Sequence, residues 1–205
     1  GTRKQGTDLL IASVTQLAIL LAGYSIFSAL TLALTQFCTD SYRDQTAARR
    51  MGLLLLLALS VLQIAHFAWL NLDLAWITGL PYRITLFVVA PAFYLFARPL
   101  LHPEARSGIH PGQWPHLLPV SIAPLLPEPV ALPAAFLIGA AYLVWLARSL
   151  YALRATRAAF HRELALLGSV FAIALGVAAL GLLQAQLPDK LFYSLYTCAI
   201  GAAFL

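Results

Sequence analysis

Apolar runs long enough to cross a lipid bilayer follow one another along almost the whole of this 205-residue chain. A hydrocarbon core about 30 Å thick takes roughly 20 residues of α-helix. Stretches of that kind occupy residues 8–34, 51–72, 83–101, 129–153 and 163–187, with shorter ones at 114–126 and 190–205. The 114–126 stretch is interrupted and bounded by Pro115, Pro119, Pro124 and Pro127, which predicts a bent or only partly spanning segment. The fold class expected is an all-α integral membrane protein, a bundle of about seven transmembrane helices joined by short connections. Composition agrees, because with 61% hydrophobic and only 10% charged residues, against about 25% charged in soluble domains, a water-soluble fold could not hide so much apolar surface.

Residues 1–7 (GTRKQGT) form a polar tail, and residues 8–205 form one membrane domain with no change of composition to mark a second. The apolar run after the tail outlasts a signal-peptide core and offers no small-residue cleavage site, so it is kept as a helix. A start at Gly1 and a finish at Phe204-Leu205 inside an apolar run suggest a piece of a longer protein, with its last helix truncated and any C-terminal output domain absent.

Basic residues set the expected orientation. Arg43, Arg49 and Arg50 flank the first connection, Arg98 and Arg106 the third, and Arg148, Arg154, Arg157 and Arg162 the fifth. Only Arg3, Lys4, Arg83 and Lys190 fall on the opposite side. The positive-inside rule then places the N-terminus outside and, with seven spans, the C-terminus in the cytoplasm. If the 114–126 segment does not cross, that parity breaks. The net charge of +5 is scattered in short clusters between apolar runs, which suits the bilayer as partner rather than a nucleic acid.

Motifs of catalysis are missing from the sequence: no P-loop, HExxH, GxSxG or DxDxDG, and no cysteines paired at metal spacing. Neither an enzyme nor a cofactor or metal is expected. Cys38 and Cys198 read as small buried apolar residues. His102, His110 and His116 read as loop histidines, since their spacing fits no usual metal site. His66 lacks a second histidine within a facing span and is not read as a haem ligand.

Two features concern packing and polarity. Gly168, Ala172 and Gly176 recur every four residues, the spacing that lets two membrane helices approach closely. They mark either a homodimer face or a contact within the bundle, and Ser25, Ser28, Thr31 and Thr35 make a similar stripe on the first helix. Ser60, Gln63, His66 and Asn71 lie on one broad side of the second helix, and polar groups inside a membrane helix usually face the bundle interior or a cavity. A signal-binding pocket is expected around His66, Asn71, Asp73 and Arg83, with Gln184 and Asp189 contributing, Trp69, Trp76 and Tyr82 as apolar walls, and Arg83 paired with Asp73 when empty. The alternative is an interfacial salt bridge within an aromatic belt.

Three stretches resemble one known family. PAFYLFARPLLHPEARSG (residues 91–108) resembles the "GPLLYLYVRSLL" end of the third helix in the seven-helix N-terminal region of membrane-anchored AraC-family transcription regulators. WPHLLPVSIAPLLP (114–127) resembles that family's "HLLPFLLALLLLLP" segment, and ARSLYALRATRAAFHREL (147–164) its basic connection into the sixth helix. Ala90-Pro91 replaces the family's Gly-Pro, and Phe96-Ala97 its Tyr-Val. The resemblance implies a sensory or anchoring domain in a bacterial inner membrane, answering to an unknown small-molecule or protein signal and touching DNA only through a C-terminal domain absent here. The sensor region of a histidine kinase is the nearest alternative. A small transporter or membrane enzyme is the alternative from another class, and it would call for charges within several helices; Asp73, Arg83 and Asp189 all fall near helix ends.

Overall fold

The computed structural model describes residues 2–37, 46–101, 111–153 and 161–205, and every regular element among them is helical. Seven α-helices stand among the described residues: α1 (Thr2–Leu32), α2 (Thr46–Leu72), α3 (Leu80–Leu101), α4 (Leu118–Ile122), α5 (Glu128–Leu153), α6 (His161–Leu183) and α7 (Asp189–Ala203). Four are long and apolar enough to cross a bilayer, namely α1 with its π-helical extension to Phe37, α2, α3 and α5. α6 contributes a shorter apolar stretch, Phe171–Gln186, and α7 has 15 residues. Cys38, Arg43, His102, Arg106, His110, Arg154 and Arg157 lie outside the described residues, as do the side chains of Arg3 and Arg162.

The expected fourth span is not one helix. A 3-10 segment, Pro111–Leu117, leads into the five residues of α4 and then a 3-10 turn, Ala123–Leu125. Each proline in it lacks an N–H, and the ring clashes with the preceding turn, so a continuous α-helical ladder cannot form. Pro91 and Pro99 in α3 and Pro133 in α5, by contrast, sit inside long helices, where neighbouring helices support the interrupted ladder.

The long helices close into a ring. α1 packs on α2, α2 on α3, α3 on α5, α5 on α6, α6 on α7, and α7 returns to α1, while α2 also meets α7 across the middle. The proline-rich segment lies against α3. Small residues allow the closest approaches: a β-carbon at Gly201 would stand 2.7 Å from Cβ of Leu21, and one at Gly52 would collide with the Phe37 ring.

The bundle buries a mainly apolar core with a few polar groups inside it, and its outside is also apolar. Gln63, His66, Ser194 and Thr197 are 0% exposed, whereas Leu20 is 72%, Phe27 68%, Leu57 62% and Leu182 74% exposed. An apolar exterior, with the few buried polar groups hydrogen-bonded inside the core, is the arrangement a bilayer favours.

The two ends of the ring collect different connections. Phe37, after α1, packs near Leu56 of α2, Phe96 of α3 and Phe204 beyond α7. At the other end, Thr78 before α3, Glu128 at the start of α5 and Gln184 after α6 line one cavity. α1, α3, α5 and α7 therefore run one way and α2 and α6 the other, with the proline-rich segment carrying the chain back from the end of α3 to the start of α5.

Candidate functional site

The site begins where α2 stops. Asp73 adopts a left-handed conformation (φ 52°), and the N–H of Leu74 reaches back to the carbonyl of Ala68 at 3.1 Å. The left-handed residue ends the helix and lets the following N–H fold back onto its last turn, with aspartate where glycine is commoner. The chain then makes a 3-10 turn, Trp76–Thr78, and enters α3, which places Tyr82 and Arg83 in its first turn. Glu128 and Pro129 open α5, an acid and a proline both suited to a helix N-terminus.

A cavity of about 180 Å³ lies among these elements. Its polar lining comes from Thr78, Tyr82, Arg83, Glu128, Gln184 and Tyr193, and Ile77, Leu86 and Leu132 supply apolar wall. One guanidinium nitrogen of Arg83 donates to the carbonyl of Leu126 at 2.8 Å. Among the described residues no carboxylate lies within ion-pair distance of Arg83 or cation within that distance of Glu128. The Tyr193 hydroxyl, on a side chain only 9% exposed, has no hydrogen-bond partner among them either.

Behind the cavity runs a relay of buried hydrogen bonds. The Tyr82 hydroxyl lies 2.8 Å from Nε2 of His66, and Nδ1 of His66 lies 3.4 Å from Oε1 of Gln63. Nε2 of Gln63 donates to Oγ of Ser25 at 2.9 Å and to the carbonyl of Thr197 at 3.2 Å. Ser25 passes its own proton to the carbonyl of Leu21 at 2.6 Å. The donors fix the direction: because the Gln63 amide nitrogen is committed to oxygens, its Oε1 must accept, so His66 carries its proton on Nδ1 and accepts from Tyr82. The chain of donation runs Tyr82, His66, Gln63, Ser25 and ties α3, α2, α1 and α7 together. Rings of Tyr82, Tyr193 and Tyr196 surround the imidazole at centroid distances of 5.6, 5.6 and 5.0 Å.

Of the residues expected to form the pocket, Tyr82, Arg83 and Gln184 line the cavity, and His66 stands one hydrogen bond behind it. Trp69 packs on Tyr193 at 5.0 Å and so supports the wall from behind. Asn71 and Trp76 are exposed, as is Asp189 in the first turn of α7. The pairing of Arg83 with Asp73 is not formed; Asp73 lies 3.9 Å from Lys190, both side chains well exposed, a contact worth little. Gly168, Ala172 and Gly176 face outward, and a β-carbon added at either glycine would meet nothing within 4 Å. Ser60 bonds only the Leu56 carbonyl of its own helix and takes no part in the relay.

Glu128 and Tyr193 were not foreseen, because neither periodicity nor a motif marks them; the folding of α5 and α7 against α3 brings them in. His116 is not a loop histidine. It is buried, its Nδ1 lies 2.7 Å from the Tyr142 hydroxyl, and its ring packs at 5.0 Å from that of Tyr94, which fastens the proline-rich segment to α3 and α5. Cys198 is a half-buried free thiol.

No protein-family model, no curated protein and no solved structure matches this chain.

Proposed function

We propose that this chain is the membrane-embedded sensory domain of a bacterial AraC-type transcription regulator, with seven spans, the N-terminus outside and the C-terminus cytoplasmic. It would couple a signal arriving at the outer leaflet to a DNA-binding domain that follows it. One observation carries the sensory part: Tyr82 lines the cavity, and its hydroxyl heads the relay through His66 and Gln63. A ligand that moves Tyr82 leaves the His66 acceptor without its donor. Restoring partners to buried groups in an apolar surround favours a rearrangement of α1, α2 and α7 over leaving them unpaired. The link to transcription rests on the three stretches that resemble the regulator family, and the nine-to-four partition of basic residues supports a C-terminus on the side where DNA is.

A transcriptional reporter under the full-length protein tests the reading. Arg83→Ala and Glu128→Ala are each expected to abolish or reset induction with membrane levels unchanged; normal induction in both would overturn the cavity as the signal site. Sequencing the gene beyond the codon for Leu205 tests the output: two helix-turn-helix units are expected, and a stop codon or a kinase core would refute the regulator.

A further inference from the structure

We propose that the cavity between the starts of α3, α5 and α7 takes a small zwitterion, an ammonium and an anionic group a few bonds apart carrying an apolar tail. The inference rests on the cavity being the signal site proposed above and names the chemistry that site accepts. Arg83 and Glu128 contribute one charge of each sign to the lining, and neither is ion-paired to a described residue. A ligand of net charge would satisfy one of them and be repelled by the other, whereas a zwitterion satisfies both.

Arg83 is pre-positioned, because its bond to the Leu126 carbonyl fixes one nitrogen and leaves the rest of the fork for an anion. Glu128, the acidic group of the lining, is the acceptor for the ammonium. The Tyr193 hydroxyl, on a side chain nine-tenths buried and without a hydrogen-bond partner among the described residues, is a further polar group that a ligand would satisfy. Leu86 and Leu132 offer apolar wall for the tail. The volume of about 180 Å³ somewhat exceeds the roughly 150 Å³ of a cavity known to hold benzene, which suits a leucine-sized molecule. Two sources share this chemistry: a free apolar amino acid, and the headgroup of an aminophospholipid from the surrounding leaflet.

Calorimetric titration of the full chain in phosphatidylglycerol nanodiscs distinguishes them. L-leucine and L-phenylalanine are expected to bind saturably, with N-acetyl-leucine and leucine methyl ester at least about tenfold weaker, since each lacks one charged hydrogen-bonding partner. Arg83→Gln and Glu128→Gln are each expected to lose about tenfold or more, with Arg83→Lys keeping part of the affinity and helical circular dichroism and elution unchanged in all three. If the lipid is the source, phosphatidylethanolamine in the nanodisc is retained in native mass spectra of the wild-type protein and competes with leucine, and neither Gln variant retains it. Equal binding of leucine, its acetylated form and its ester, lost in Arg83→Gln, would overturn the zwitterion while leaving the cavity as the signal site. Binding of none of the amino acids and no retention of phosphatidylethanolamine would overturn the proposal outright. Only unchanged induction in the reporter experiment would overturn the signal site as well.

Discussion

Replacing Gln63 with leucine, nearly the same size and unable to hydrogen-bond, should expose how much the buried relay contributes. Two losses follow directly from the geometry. The amide's bonds to Ser25 and to the Thr197 carbonyl disappear; interhelical hydrogen bonds in membrane proteins average about 0.6 kcal/mol each, so together they contribute about 1 kcal/mol. Ser25 keeps its own bond to Leu21 and is not stranded. His66 is stranded: its Nδ1 proton loses Oε1 of Gln63, and an unsatisfied buried donor costs about 1–3 kcal/mol. The total is about 2–4 kcal/mol. A shift of the imidazole proton to Nε2, with Tyr82 turning from donor to acceptor, exchanges the stranded donor for a stranded acceptor and draws the value toward the lower end.

A double-mutant cycle separates the two losses. In a His66→Phe background no imidazole remains to strand, so Gln63→Leu should cost only about 1 kcal/mol for the two lost bonds. Equilibrium unfolding of the four proteins in mixed detergent micelles would measure this, with an expected coupling of about 1–3 kcal/mol. The same cost for Gln63→Leu in both backgrounds would show that the 3.4 Å contact between His66 and Gln63 carries no energy, and the relay would end at His66.

Gly201→Ala places a methyl group 2.7 Å from Cβ of Leu21 and should lower stability by about 1–3 kcal/mol through overpacking of α1 on α7, seen as a lower thermal midpoint in detergent; Gly176→Ala, with nothing within 4 Å, should be neutral or stabilising by up to about 1 kcal/mol from helix propensity. Lys190→Ala removes an exposed 3.9 Å contact to Asp73 and should change stability by less than about 0.5 kcal/mol, so a larger loss in the same unfolding assay would show that this ion pair holds α7 to the α2 terminus. His116→Phe should loosen the proline-rich segment, because the half-buried Tyr142 hydroxyl loses its partner; faster proteolysis near that segment with the rest of the bundle intact is the expected result, and unchanged protection would contradict it.

The long helices were legible because roughly 20 apolar residues in a row have few other uses. The fourth segment was legible as irregular from its prolines, though not as the 3-10 and α turns it makes. On α2, periodicity grouped Gln63 and His66 correctly, since residues three apart share a face. It also grouped Ser60 and Asn71 with them, yet Ser60 satisfies itself within its helix and Asn71 lies beyond the packed region. Pairing Arg83 with Asp73 failed for a backbone reason. The left-handed turn at Asp73 sends its carboxylate toward Lys190 at the start of α7, while the first turn of α3 directs Arg83 toward Leu126. Complementary charges ten residues apart say nothing of such directions. Glu128 and Tyr193 become part of the site only through the packing of α5 and α7 around α3, which no local pattern encodes.

Labelling single cysteines in intact cells decides whether the cavity opens, as proposed, on the extracytoplasmic side of the membrane. Thr78, which lines the cavity and is exposed, and Ala155, in the basic fifth connection, are replaced in turn in a background without Cys38 and Cys198. A membrane-impermeant maleimide is expected to modify Thr78→Cys in intact cells and Ala155→Cys only after lysis. Modification of Ala155→Cys from outside, with Thr78→Cys protected until lysis, would invert the orientation and contradict the account.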